Sequence, residues 1–270
     1  MRKIFTLVAA LSIWCSGANA QFVSTMKKLD IFNHLGVAAG IGTTGVTLDL
    51  GTTVTPWVQL RAGVDIMPEL KMNTTLGLKE VDGTPTIVDY LKEIDVQGKL
   101  SNTTGHLLFD IYPFAKRSSF HVTVGGYFGG DKLIAAYNTS GQDGLKDIYN
   151  YNHRLGQYGS VPDEGGKIGA VLGDYFIEPD ENGNVGASIR VKKFRPYLGL
   201  GFGRMAPKSR VSCMFDLGVQ FWGNPSVWND TANERLVEEK LNGEDGGIIK
   251  TISKVSVYPV LSIKIVGKIF

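Results

Sequence analysis

The stretch VSCMFDLGVQF, residues 211–221, decides the fold. Read with period two, it sets Cys213, Phe215, Leu217, Val219 and Phe221 against Ser212, Met214, Asp216, Gly218 and Gln220. Side chains alternate faces only in an extended strand, so this is a strand with one apolar and one polar side. The same alternation recurs along the chain at 35–42, 46–51, 58–67, 106–112, 119–128, 196–204 and 257–270. In 58–67, Val58, Leu60, Ala62, Val64 and Ile66 oppose Gln59, Arg61, Gly63 and Asp65. Eight amphipathic strands are therefore expected, and the fold class is all-β.

The composition of the polar side separates two architectures. A soluble barrel turns its apolar face inward and needs Lys and Glu outside. Here the polar face is Gly, Thr, Asp, Arg, Gln, His and Tyr, with few Lys. Small and hydrogen-bonding groups suit a narrow lumen, and the apolar face then meets lipid. The longest apolar stretch, residues 4–15, is too short for a spanning helix, which needs about 20 residues. An eight-stranded antiparallel transmembrane β-barrel is the predicted architecture. Connection lengths agree: from 52–56 onward, short (52–56, 113–118, 205–209) and long (68–93, 131–193, 223–256) alternate. Such barrels have short periplasmic turns and long extracellular loops.

Residues 1–20 read as a cleaved secretory signal peptide: Arg2 and Lys3, an apolar run, then Ala18-Asn19-Ala20. Residues 21–270 are the expected barrel domain. Removing Arg2 and Lys3 leaves 26 basic against 26 acidic residues, so nothing points to nucleic acid as a partner. Cys213 is then the lone cysteine, without an internal disulfide partner.

The long loops are expected to be mostly surface coil, notably 72–90 and 138–172. Residues 175–178 and 185–191 read as strand extensions flanking a hairpin turn at Asp180–Asn184. Thr231-x-x-Glu234 matches a capping box opening one short loop helix over 231–242. Aromatics near strand ends are expected to form two girdles. Trp57, Tyr112, Phe114, Phe120, Tyr197, Tyr258 and Phe270 fall at the short-turn rim, and Tyr127, Phe128, Phe221 and Trp222 at the other.

The segments LRAGVDIMP (60–68), LLFDIYP (107–113), PYLGLGFG (196–203) and FDLGV (215–219) carry a resemblance. With the leader and the terminal aromatic, the chain resembles small outer-membrane β-barrel proteins of Gram-negative bacteria, in the OmpA/OmpW-like barrel class. The resemblance implies a cell outer membrane location, outer-membrane lipid around the barrel, and barrel-assembly machinery and periplasmic chaperones as partners during biogenesis. It makes Phe270 part of the assembly signal. The last strand departs from the family pattern: alternate positions back from Phe270 include Lys268, Lys264 and Ser262, while Leu261, Ile263 and Ile265 hold the other register. A bulge near Val266-Gly267 would reconcile the two.

Candidate chemistry is sparse. Gly40-x-Gly42-x-x-Gly45 matches a dinucleotide fingerprint, but a strand rather than a helix follows it, so no cofactor is expected. His34, His106, His121 and His153 lack metal-ligand spacing. If the 113–118 turn closes a hairpin, Asp110 faces His121, the base half of a triad. Asp49, Arg61, Asp65, Asp110, His121, Tyr197, Asp216 and Gln220 all point inward and form a predicted lumen polar network, since buried charges must pair.

The expected role is structural or surface-interacting, with a plugged lumen and a ligand contact through loop 131–193, and not enzymatic. The alternatives are porin-like passage of small solutes or hydrophobic compounds, a lipid A-modifying hydrolase, and a soluble periplasmic binding module. On this facing Leu200→Arg, on lipid, should harm assembly far more than Gly201→Ala, in the lumen.

Overall fold

The computed structural model describes residues 34–81, 91–159, 166–172, 175–207, 209–237 and 255–269. The expected signal peptide and Phe270 lie outside the described residues. The first strands are β1 (Leu35–Gly42), β2 (Gly45–Thr55), β3 (Val58–Val81), β4 (Glu93–Ile111), β5 (Phe120–Gly129) and β6 (Lys132–Asn138). Helix α1 (Gln142–Asn152) follows, then β7 (Lys167–Leu172), β8 (Tyr175–Ile177) and β9 (Gly186–Arg190). The last are β10 (Phe194–Phe202), β11 (Val211–Phe221), β12 (Ser226–Asn229), β13 (Glu234–Arg235) and β14 (Val257–Lys268).

Eight of these strands close a circuit. Neighbours pair antiparallel in the order β1, β2, β3, β4, β5, β10, β11, β14, and β14 pairs back onto β1. Closure leaves no free sheet edge at membrane depth, which a bilayer requires. All eight match the period-two segments of the sequence. The alternation also points as expected. Leu198, Leu200, Phe215, Leu217, Leu261, Ile263 and Ile265 face outward, and Leu200 is 50% exposed. Asp49, Arg61, Asp65, Asp110, His121 and Asp216 face inward and are buried.

The last strand needs no bulge. β14 keeps one register against β1 from Ser262 to Lys268 and against β11 from Val257 to Gly267. Ser262, Lys264 and Val266 therefore face the lumen. The departure from the family pattern is a real inward lysine, not a register slip.

The aromatic girdles need correction in facing and in end: Tyr112, Tyr127, Tyr197 and Trp222 are buried inside rather than turned to lipid. Trp57 and Phe114 lie at the short-turn end, where Phe120 also packs on Phe202 at 5.3 Å. Phe128 and Phe194 pair at 5.0 Å at the other end. Tyr197 and Tyr258, expected at the short-turn rim, are at the long-loop end. β10 and β14 start there, so Tyr197 meets Tyr127 at 5.3 Å and Tyr258 stacks on Trp222 at 4.5 Å.

The long-loop end is more ordered than the sequence suggested. β3 and β4 continue past the barrel as a paired ribbon up to Gly77↔Glu93. β6, β9 and β12 prolong β5, β10 and β11, so the barrel wall rises into a sheet. β7 and β8 add to the end of β3. Parts of 72–90 and 138–172 are thus strand and helix rather than coil. They are held by their own apolar cluster, in which Leu76, Ile94, Leu145, Ile148, Ile168 and Ile177 meet. The short-range pattern hid this because each contribution is a few residues long, and only their convergence makes a core.

Two local readings fail. The Asp180–Asn184 turn forms, with the Asn184 N–H donating to Asp180 at 2.7 Å, but its flanks part: β8 pairs with β7, and β9 with β6 and β12. The capping-box helix does not start. The Asn229 side chain takes the Thr231 N–H at 3.0 Å, Asn233 adopts φ 52°, and Glu234–Arg235 fold back on Trp228–Asn229 as β13. The only long helix among the described residues is α1, in a segment expected to be coil.

Gly201 is not a neutral lumen position. A Cβ there would run into His121 Nε2 and the Phe215 carbonyl, both closer than any side chain tolerates. Gly201→Ala is therefore expected to disturb assembly as well, and the facing is better tested at one residue. Leu200→Arg should lose heat-modifiable gel migration, since a lipid-facing Arg costs about 2–4 kcal/mol at mid-bilayer. Leu200→Phe should keep it, and equal loss in both would invert the facing.

The long-loop sheet carries its own pH dependence. Burial tends to raise the Asp230 carboxyl, but hydrogen bonds from Arg190, Lys132 and Ser188 hold it below the usual carboxylate range. Arg190 NH2 donates at 2.8 Å and also stacks over Trp228 at 4.4 Å. A lowered carboxyl stabilises above its unfolded pKa of about 4 and loses that contribution as pH falls further. Trp228 emission should shift to the red between about pH 5 and pH 2. In Asp230→Asn that shift should already be present at neutral pH.

Candidate functional site

Among the described residues, the lumen is where the barrel gathers buried charge. Strand β3 delivers Arg61 and Asp65, β2 Asp49, β4 His106 and Asp110, β5 His121, β11 Asp216 and β14 Lys264. Each is an inward member of a period-two strand, so the barrel wall itself aims them at one axis.

Arg61, 1% exposed, is the hub. Its NH1 donates to Asp216 Oδ2 at 2.7 Å and its NH2 to Asp110 Oδ1 at 3.1 Å. Lys264 Nζ donates to Asp49 Oδ2 at 2.7 Å and lies 3.5 Å from Asp216 Oδ2. Asp49 and Asp216 thus each touch both cations, with Arg61 NH1 4.0 Å from Asp49 Oδ2. His121 Nε2 meets Asp216 Oδ1 at 3.0 Å. His106 Nδ1 meets Asp65 Oδ2 at 2.8 Å, and its Nε2 lies 2.8 Å from Asp49 Oδ1, off the line of a hydrogen bond. Thr44 and Thr47 donate to Asp65, and Thr123 to Asp110 at 2.7 Å.

Among the described residues, four inward carboxylates (Asp49, Asp65, Asp110, Asp216) meet two permanent cations (Arg61, Lys264). The two imidazoles, each touching a carboxylate, are the remaining groups able to carry charge there. Small residues make room for the network. A Cβ at Gly63 would collide with Asp49 Oδ1 and come within 2.7 Å of His106 Nε2.

Of the eight residues expected inside, six belong to this network. Tyr197 and Gln220 also face the lumen, but apart from it. Tyr197 lies over Gly199 and Gly218, and Gln220 accepts the Trp222 indole N–H at 3.1 Å. The Asp110–His121 contact does not form. The β4–β5 ladder places Asp110 opposite Thr123, two residues from the expected register. Arg117 and Ser118 fold onto the Phe114 carbonyl, which moves the turn's centre one residue along. A shift of two keeps both side chains inward while changing their partners. His121 therefore bonds Asp216 and the Ser119 carbonyl, the latter at 3.3 Å.

The sequence reading missed Lys264 and His106 as members. Both were visible: Lys264 alternates with Ile263 and Ile265, and His106 with Leu107. Toward the short-turn end the lumen is closed by neutral groups. Gln59 Oε1 accepts from the Tyr112 hydroxyl at 3.1 Å and the Met205 N–H at 2.9 Å, beneath an apolar layer of Ala38, Met205, Met214 and Val266.

No protein-family model and no curated protein matches the chain. Solved structures similar to it include Acinetobacter baumannii CarO, at 15% identity over 86% of this chain and 96% of that one, with a TM-score of 0.44. Acinetobacter baumannii CarO2 has 16% identity over 87% and 98%, with a TM-score of 0.45. A major outer membrane protein of Thermus thermophilus has 15% identity over 87% and 98%, with a TM-score of 0.31. So distant a likeness carries nothing about activity, and the assignment stands on the chain's own geometry. A closed eight-strand antiparallel barrel with an apolar belt outside and charge inside is an outer-membrane β-barrel.

Breaking the network should be costly. Arg61→Met leaves Asp110 and Asp216 short of their cation, and losing one partner of a buried pair costs about 3–5 kcal/mol. The urea midpoint of the folded barrel should fall accordingly. Arg61→Met with Asp216→Leu should lose less than the sum of the singles, because the second change removes a charge the first leaves stranded.

Proposed function

We propose that the chain is a structural, surface-directed outer-membrane barrel whose lumen does not conduct. The single observation that supports this is the Arg61–Asp110–Asp216–Lys264–Asp49 cluster. It spans the barrel between strands on opposite sides, and none of its members is more than 3% exposed. An eight-strand barrel has room only for side chains or one small ligand, and this one is filled by paired charge.

The same reading places the long-loop end outside the cell, with the short turns in the periplasm. The sheet built by β6, β9 and β12 and braced by α1 would then be the part presented to the surroundings. A folded platform of this kind suits contact with an extracellular ligand better than mobile coil, because less ordering entropy is lost on binding.

Planar-bilayer recording tests the closed lumen. The wild-type protein should give no unitary conductance steps. Arg61→Ala combined with Asp216→Ala removes the hub and its partner and should give small steps. Porin-like steps in the wild type would overturn the proposal.

A further inference from the structure

Above the ion network, at the long-loop mouth, the barrel encloses a cavity of about 270 Å³. Its walls are apolar, with Met67, Leu100, Leu133, Trp222 and Tyr258 prominent. Set into that wall is Arg195, which is 0% exposed. Its Nε donates to the Lys192 carbonyl at 2.9 Å and its NH2 to the Gly130 carbonyl at 2.6 Å. Among the described residues it makes no salt bridge, because Asp131, the acid whose charge it feels, faces Lys193 at 4.0 Å. A buried guanidinium without a carboxylate is an uncompensated charge, unlike Arg61 below it. A second polar group in the wall is also unsatisfied: Asn102 Oδ1 is buried without a hydrogen-bond partner among the described residues.

We infer that this cavity binds a small amphipathic anion, a carboxylate on an unbranched apolar chain, with the carboxylate on Arg195 and the chain against Leu100, Leu133 and Trp222. Three features select that chemistry. The apolar wall rejects a hydrophilic solute, since a polar body would lose its water unpaired. Among the described lining residues Arg195 supplies the one cation, a guanidinium of the kind that takes up carboxylate oxygens. The volume lies just under the roughly 300–1,000 Å³ usual for small-molecule sites, which favours a medium chain over a whole lipid. Asn102 Oδ1, an acceptor only, bonds no carboxylate and turns one away from its side of the wall, toward Arg195. The network beneath closes the way down, so the site captures its ligand at the mouth.

The test uses Trp222, which lines the cavity. In protein without residues 1–20, carrying Trp57→Phe and Trp228→Phe and reconstituted in lipid nanodiscs, ω-bromodecanoate should quench the remaining tryptophan saturably. ω-Bromodecanol, with the same chain and no charge, should quench far less. Arg195→Gln should raise the half-saturating concentration by about tenfold or more, the worth of a charge-assisted hydrogen bond. If Arg195→Gln fails to show heat-modifiable migration, Leu100→Phe takes its place. It narrows the cavity without touching Arg195 and should also weaken saturable quenching. Equal quenching by acid and alcohol, or quenching that never saturates, overturns the inference. Quenching of Trp222 by brominated phospholipid alone would make a bilayer lipid the occupant and overturn it as well.

Discussion

The ion pair between Arg61 and Asp216 ties the structure together. Once eight strands close, the space inside is too small for bulk water, and a charge placed there has no solvent to fall back on. Arg61 therefore fixes Asp216 and Asp110, and with Lys264 it fixes Asp49. Those contacts join β3 to β11, β4 to β3, and β14 to β2, strands that are not all neighbours in the sheet. The backbone ladder closes the wall, and the network ties one side of the wall to the other.

That constraint also explains the glycines. Several inward positions are Gly because a neighbouring side chain fills their space. His121 lies over Gly201, Asp49 and His106 over Gly63, and Tyr197 over Gly199 and Gly218. These lumen glycines are thus the negative image of a few large polar side chains. A glycine in such a lumen is no sign of flexibility, and adding a methyl group displaces the group that its absence admits.

The barrel was legible because its signal is local and periodic. In 211–221 and 196–204, facing follows from alternation alone, and a lipid-facing register cannot slip by one residue without turning Asp216 or Gln220 into the bilayer. Partner identity is not local. Asp110 and His121 were both correctly placed inward, yet a two-residue difference at the Phe114 turn exchanged their partners. Lys264 was left out of the network because the expectation of an apolar final strand turned its plain alternation with Ile263 and Ile265 into a supposed bulge. The sheet above the barrel was hardest to read. Its strands β7, β8 and β12 are three to six residues long, and β7 and β8 are held where their Ile168 and Ile177 meet Ile94 and Leu145, contributed from far along the chain.

Along its axis the molecule changes its answer to buried charge. At the middle, every cation has a carboxylate and the lumen is full. One layer outward, Arg195 is as buried as Arg61 but is met by carbonyls and the Trp222 ring rather than by a carboxylate, and an apolar cavity opens beside it. Carbonyl dipoles satisfy its hydrogen bonds without cancelling its charge, so the site retains an attraction for an anion that the Arg61 site has already spent. The same side chain, in the same kind of wall, therefore serves closure at one level and recognition at the next, and what separates them is the presence of Asp216 and Asp110 beside one arginine and not the other.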